Sequence, residues 1–347
     1  MEKMLDYIKK YPEMIVDAVE LTKKARLPKY KFKKILVCGM GGSAICGDVL
    51  ADLLRDRKNS LSVEVSRRYK LPPDAGRDAL VVFVSYSGDT EETLSQFVEA
   101  RKNGLRMICT ASGGKLKKWC ETFGVPFVEL PAGFKPRAAL PYTLFTVLEY
   151  LQESSKDLDF SKDIKEAVEV LEELRESDEK ENEIKSMAGL IKDSRINVYG
   201  SEEFEAAVKR LKTQINESSK LPASWDLFPE LDHNEIVGYE DNDLNRGDYV
   251  VILRDEESEK EQPEMRARIE ASKEIIQSKV KGITEIWSSG KSKLAKEMSL
   301  IFLGDLLSYY LAIEGGKLPE KTDNIDKLKE VLKEELNTQE KLEKELV

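Results

Sequence analysis

The feature that most limits the fold of this 347-residue chain is a repeated alternation of short apolar runs with helical patterns. Lys34-Ile-Leu-Val-Cys38, Leu61-Ser-Val-Glu-Val65, Ala79-Leu-Val-Val-Phe-Val84, Leu105–Thr110 and Val125-Pro-Phe-Val-Glu129 read as strands. Runs that are apolar along their length must be covered on both faces, which predicts a parallel sheet between two helical layers. Apolar residues Leu5, Ile8, Ile15 and Val19 give residues 1–26 helical spacing ahead of the first strand.

The pattern breaks at 154–185, a stretch dense in Glu, Lys and Asp that reads as a solvated helical linker. It then restarts. Arg195-Ile-Asn-Val-Tyr199 precedes a helix over 204–219, Asp248-Tyr-Val-Val-Ile-Leu253 a helix over 265–278, and Thr284-Glu-Ile-Trp287 a long helix over 294–314. A last helix covers 325–341. The shared order of strand, turn and helix predicts an α/β chain of two doubly wound, flavodoxin-like halves made by tandem duplication. They would span 1–154 and 155–347, the second including the C-terminal helix. In such sheets ligands bind beyond the carboxyl ends of the strands.

Composition excludes several functions. Lys and Arg number 55 against 65 Asp and Glu, a net charge of −10, which repels nucleic acid and anionic membranes. A bound phosphate would have to be held by local amides and a few placed cations. The 35% of charged residues fits surface ion pairs of a thermostable protein and fits any heavily solvated helix surface. Cys38, Cys46, Cys109 and Cys120 form no CxxC pair, and the chain has one histidine, so a metal site is not expected and buried free thiols are. No apolar leader or membrane-length run occurs, which predicts a reducing cytoplasm.

Two loops carry chemistry. Gly39-Met-Gly-Gly-Ser-Ala44 follows the first strand and matches a dinucleotide-binding GxGxxA turn, with Glu64 near the end of the second strand as its acidic partner. Taken alone it is equally a tight turn that needs glycine. Ser85-Tyr-Ser-Gly-Asp-Thr90 follows the third strand and opens a helix. Three hydroxyls in six residues, with free amides at a helix N-terminus, suit a phosphate. Ordinary capping would use one of them. A dinucleotide fold has no second cradle of this kind, so a monophosphate is favoured over a nicotinamide cofactor.

The Gly-Gly-Ser turn followed by Ser-x-Ser-Gly-x-Thr resembles the sugar isomerase (SIS) domain. Pro136-Arg-Ala-Ala139, Gln214-Ile-Asn-Glu-Ser-Ser-Lys220, Asp232-His-Asn-Glu235 and Ile325-x-x-Leu-Lys329, all in order, are similar to the bifunctional phosphoglucose/phosphomannose isomerases over essentially the full length. The chain departs most from that pattern at Pro319-Glu-Lys-Thr-Asp323. The resemblance implies an aldose–ketose isomerase that interconverts glucose or mannose 6-phosphate with fructose 6-phosphate through a cis-enediol, with no cofactor. Gly42, Ser43, Ser85, Ser87 and Thr90 would hold the 6-phosphate. Arg137, on its own more often a surface arginine, would touch the reacting oxygens. Glu217 would be the general base. His233, in a charged loop and near neutrality in its unperturbed pKa, would open the sugar ring with Lys329.

The resemblance also places Thr322 beside the base, where a small side chain lets the C2–C3 bond rotate; Thr322 is equally well placed to cap the last helix. Relatives of this kind further imply a homodimer whose active site lies at the interface, with His233 supplied in trans. Two rival readings remain at this level: a phosphosugar-binding regulator without catalysis, and an isomerase that serves glucose alone. The set Arg137, Glu217 and His233 separates an enzyme from a regulator.

Overall fold

The computed structural model describes residues 2–55, 61–240, 243–255 and 262–346. In chain order the elements begin with α1 (Glu2–Lys9), α2 (Tyr11–Ala25), β1 (Lys34–Cys38), α3 (Ile45–Arg55), β2 (Ser62–Ser66) and β3 (Ala79–Val84). Next come α4 (Glu91–Lys102), β4 (Arg106–Ala111), α5 (Gly114–Phe123), β5 (Phe127–Glu129), α6 (Leu140–Ser154), α7 (Ser161–Glu176) and α8 (Asp178–Ile191). The second series is β6 (Arg195–Ser201), α9 (Glu205–Gln214), β7 (Ala223–Phe228), β8 (Asp248–Arg254), α10 (Pro263–Ile276), β9 (Gly282–Trp287) and α11 (Lys293–Glu314). Helices α12 (Asp323–Leu336) and α13 (Thr338–Leu346) close the chain.

Both sheets are wholly parallel, in the orders β2-β1-β3-β4-β5 and β7-β6-β8-β9. Strand β3, Ala-Leu-Val-Val-Phe-Val, is fully buried, as expected of a central strand covered on both faces. In each sheet the crossovers leave in opposite directions from the first and third strands of the series. Those neighbours, β1/β3 and β6/β8, therefore form a switch point where ligand loops gather.

The chain divides into two compact units that are not contiguous stretches. The five-stranded unit is Glu13–Lys162 with Thr322–Val347; the four-stranded unit is Met1–Pro12 with Asp163–Lys321. The expected division at 154/155, with the last helix in the second half, differs from this at both ends. The reason at the C-terminus is apolar: Leu342 and Leu346 of α13 pack into a core with Phe97, Trp119 and Cys120. Lys115–Glu343 at 2.9 Å and Lys102–Glu345 at 2.7 Å line its edge.

Residues 154–185 are not a solvated linker. Ile164, Ala167, Leu171 and Leu174 of α7, then Ile184, Met187 and Ile191 of α8, are buried at helical spacing. Their density of charge lies on the opposite faces. Strand β7, Ala-Ser-Trp-Asp-Leu-Phe, escapes a hydropathy reading because it is a partly exposed edge strand. The last helix is two helices, since Asn337 takes a left-handed turn with φ of 46°. The four cysteines are free and buried, and burial pushes the Cys46 thiol up to about 12, which makes that thiol a packing residue rather than a nucleophile.

Candidate active site

Three loops of the five-stranded unit converge beyond the carboxyl ends of β1, β3 and β4. In the first, Gly39 lies so close to Val84 that a Cβ would sit 2.9 Å from its carbonyl oxygen. Gly42 plays the same part toward Arg137, whose Cα would be 2.9 Å from a Cβ there. Ser43, buried, accepts a hydrogen bond on Oγ from the Tyr86 amide at 3.2 Å. Glycine is therefore required here for close approach of backbones rather than for a positive φ.

The second loop folds on its own hydroxyls. The buried Ser85 Oγ donates to Thr90 Oγ1 at 3.0 Å and accepts from the Gly88 amide at 3.2 Å. Ser87, exposed, accepts from the Asp89 amide at 3.3 Å. Thr90 occupies the N-cap position of α4, but its side chain makes no capping bond. Its hydroxyl faces Ser85 instead, which sets it apart from an ordinary cap.

The third loop, Ser112-Gly113-Gly114 into α5, belongs to the same cradle and was not singled out from sequence. Gly88, with φ of 75°, comes so close to the Gly113 carbonyl that a Cβ would lie 1.9 Å from its oxygen. The Leu116 amide donates to the Gly88 carbonyl at 2.9 Å, and the Lys115 amide to Asp89 Oδ1 at 2.9 Å. The signal was legible, since a strand followed by Ser-Gly-Gly and a helix repeats the grammar of the other two turns. Amide-rich turns that open α4 and α5 favour an anion.

Arg137 follows Pro136 in a one-turn helix, Pro136–Ala139. It is 3% exposed, so the surface reading of this arginine fails and the guanidinium is built into the unit. Gly42, Ser43, Ser85, Ser87, Thr90 and Arg137 thus gather at one end of one sheet. Thr322 and Lys329 belong to the same unit. Thr322 precedes α12 and its carbonyl accepts from the Ile325 amide at 2.9 Å, but its hydroxyl does not cap the helix. Lys329 is exposed on α12.

Glu217 and His233 belong to the four-stranded unit. The helix expected over 204–219 is α9 followed by a π-helical turn, Ile215–Ser219, that carries Glu217 half-buried. Such widened turns recur at functional sites. What precedes the turn is clamped: Asp305 of α11 accepts from Arg210 Nη2 at 2.6 Å, Tyr11 Oη at 2.5 Å and Gln214 Nε2 at 2.8 Å. Burial and the Asp305 charge push the Tyr11 hydroxyl well above its ordinary range, so it stays a donor. At the end of the turn, Ser219 Oγ donates to the Ser308 carbonyl at 2.8 Å.

His233 ends a short turn, Glu230–His233, after β7, and is exposed. Anchors stand on both sides of it. Ser272 Oγ donates to Asp232 Oδ1 at 2.6 Å, and Tyr199 Oη donates to Glu235 Oε1 at 3.0 Å. Among the described residues no group of three or more His, Cys, Asp or Glu is placed to hold a metal ion. Among them no helix is long and apolar enough to cross a membrane.

Comparison with known proteins gives concordant results. Residues 180–332 match the family model of the bacterial phospho-glucose isomerase C-terminal SIS domain. The chain is 36% identical over 340 residues to a bifunctional phosphoglucose/phosphomannose isomerase of Caldicellulosiruptor bescii, covering 95% of this chain and 99% of that one. It is 35% identical over 305 residues to the protein of that name from Aquifex aeolicus, covering 87% and 91%. The C-terminal domain of glucosamine-fructose-6-phosphate aminotransferase from Francisella tularensis shares the fold, with a TM-score of 0.67 at 16% identity over 92% of this chain and 98% of that one.

Proposed function

The chain belongs to the bifunctional phosphoglucose/phosphomannose isomerase family and is an aldose–ketose isomerase, and from that premise we propose that it converts fructose 6-phosphate into both glucose 6-phosphate and mannose 6-phosphate. The observation that carries the reading is the three-loop cradle with Arg137 buried against Gly42. The cradle and the two helix N-termini hold the 6-phosphate, which fixes the distance to the reacting carbons. His233 protonates the ring oxygen, with Lys329, and the sugar opens. Glu217 takes the proton from C2 of the aldose and returns it to C1, while a proton passes from the C2 hydroxyl to the C1 oxygen. Arg137 stabilises the negative oxygen of the enediolate.

Glucose and mannose 6-phosphate differ only at C2 and share one enediol, so one base serves both if C2–C3 can rotate. Thr322, with a hydroxyl not engaged in capping, supplies the small wall that allows this. The working form we infer is a cytoplasmic homodimer in which His233 acts on substrate held by the other copy. Mixing Glu217→Gln and His233→Ala proteins under subunit exchange then restores activity; a mixture that stays dead despite proven exchange removes the trans arrangement. The test of the reaction itself is incubation with fructose 6-phosphate and identification of products. Two aldoses at comparable rates are expected, with Thr322→Gln suppressing mannose 6-phosphate more than glucose 6-phosphate. Glucose 6-phosphate alone from the unaltered protein contradicts the dual specificity.

A further inference from the structure

Tyr86 stands between the two serines of the cradle, yet its polar atoms are spent on three other segments. Its amide donates to Ser43 Oγ in the loop after β1 at 3.2 Å. Its carbonyl accepts from the Ser112 amide at 2.8 Å and from Ser112 Oγ at 2.7 Å in the loop after β4. Its hydroxyl donates to the Pro131 carbonyl at 2.8 Å and accepts from the Phe134 amide at 3.0 Å. The ring is 4% exposed. The backbone of one residue thus ties the three phosphate loops together, while its hydroxyl closes the bend that leads to Arg137.

Segment 131–134 is irregular backbone, with Gly133 at φ of 104°, and such a segment holds a single shape only where its amides and carbonyls are satisfied. The Tyr86 hydroxyl satisfies one of each. From Phe134 to Arg137 the chain has little freedom left. Lys135 is extended, and Pro136 has its φ fixed by the ring. The Arg137 backbone then seats against Gly42 of the first loop. A hydrogen-bonded bend at one end and a backbone contact at the other define where the guanidinium begins.

We propose that Tyr86 is a positioning residue that joins the phosphate cradle to Arg137: its backbone holds the phosphate loops, and its hydroxyl places the guanidinium. The proposal rests on Arg137 acting on the reacting oxygens. A guanidinium displaced by a fraction of an ångström still binds anions but loses its aim at charge that develops only in the transition state. The phosphate loops keep their backbone bonds to Tyr86 whatever its side chain, so loss of the hydroxyl separates the two effects.

Tyr86→Phe keeps the ring and removes the hydroxyl. Its kcat should fall about 10- to 100-fold, while KM for fructose 6-phosphate and the Ki of inorganic phosphate stay within about threefold. In an Arg137→Ala background the same change should cost less than about twofold, because residues that act through one another are not additive. An unchanged kcat in Tyr86→Phe beside a crippled Arg137→Ala overturns the proposal. A phosphate Ki that weakens in step with kcat also overturns it, by assigning Tyr86 to the cradle alone, as does an equal loss in both backgrounds. If Arg137→Ala itself turns over normally, the role of Arg137 falls first and the coupling falls with it.

Discussion

The two units wind their first four strands in the same order, 2-1-3-4, but end them in loops of different chemistry. After β3 the five-stranded unit places Ser85-Tyr-Ser-Gly-Asp-Thr90, whose hydroxyls and amides bond one another within the loop. At the matching place after β8 the four-stranded unit has Asp255, which pairs with Lys296 at 2.6 Å and accepts from Ser288 Oγ at 3.2 Å. After β6 it reads Glu202-Glu203 where the other unit has glycines and a serine. Carboxylates beside a would-be phosphate repel it. Under the proposed function, the anion site belongs to one copy of the fold and the other supplies Glu217 and His233. Topology decides where ligand loops fall and leaves their content open.

The comparison breaks first at the base. Glu217→Gln should lower kcat by about 10²- to 10⁴-fold, the span of general base catalysis, with phosphosugar affinity kept. Calorimetric titration beside turnover reads both; near-normal turnover would remove Glu217 from the role, and lost affinity would make it structural. The clamp behind it comes next. Asp305→Ala leaves Arg210 buried without its carboxylate, at a cost of about 3–5 kcal/mol, measured as a shift in the denaturant midpoint. A cost below about 1 kcal/mol would show that the turn carrying Glu217 does not depend on this network.

The two sets of loops can be compared directly by placing a carboxylate in each. Ser87→Asp should raise KM for the phosphosugar about 10- to 100-fold, a few kcal/mol of like-charge repulsion in the cradle. Ser289→Asp, after β9 of the four-stranded unit, should change KM less than about twofold by the same arithmetic. Equal effects would contradict a single phosphate site. The smallest effect concerns acid. Burial pushes the Glu181 carboxyl up, but hydrogen bonds from Lys9, Tyr310 and Lys185 outweigh it and hold it at about 2. A depressed carboxylate stabilises the folded state above its unfolded pKa, about 4.3, and that support drains away as pH falls toward 2. Glu181→Gln should flatten the fall of the thermal midpoint across that window; an unchanged slope would show that Glu181 is not its source.

Much of this was legible in the sequence, for identifiable reasons. Strands such as β3 and β8, buried on both faces, announce themselves by unbroken hydropathy, and the glycines and serines at their ends mark the loops. Edge strand β7 did not, because a strand half in solvent can carry Ser224 and Asp226. The burial of α7 and α8 was hidden by charge on their outer faces, although Ile164, Leu171 and Leu174 keep helical spacing. The exchange of terminal segments between units was beyond a local reading, since Leu342 finds Trp119 only in three dimensions. Tyr86 was passed over as a spacer in Ser-x-Ser because its hydroxyl works 45 residues away, at Pro131.

The most direct test of the account is fructose 6-phosphate in deuterium oxide, followed by proton and carbon NMR of the products. A base that takes a proton from C1, exchanges it with solvent while the enediol is bound, and returns a deuteron to C2 predicts glucose and mannose 6-phosphates deuterated at C2, with deuterium also entering C1 of the remaining ketose. Aldoses free of deuterium under conditions where the base exchanges with solvent, or no aldose at all, would contradict it.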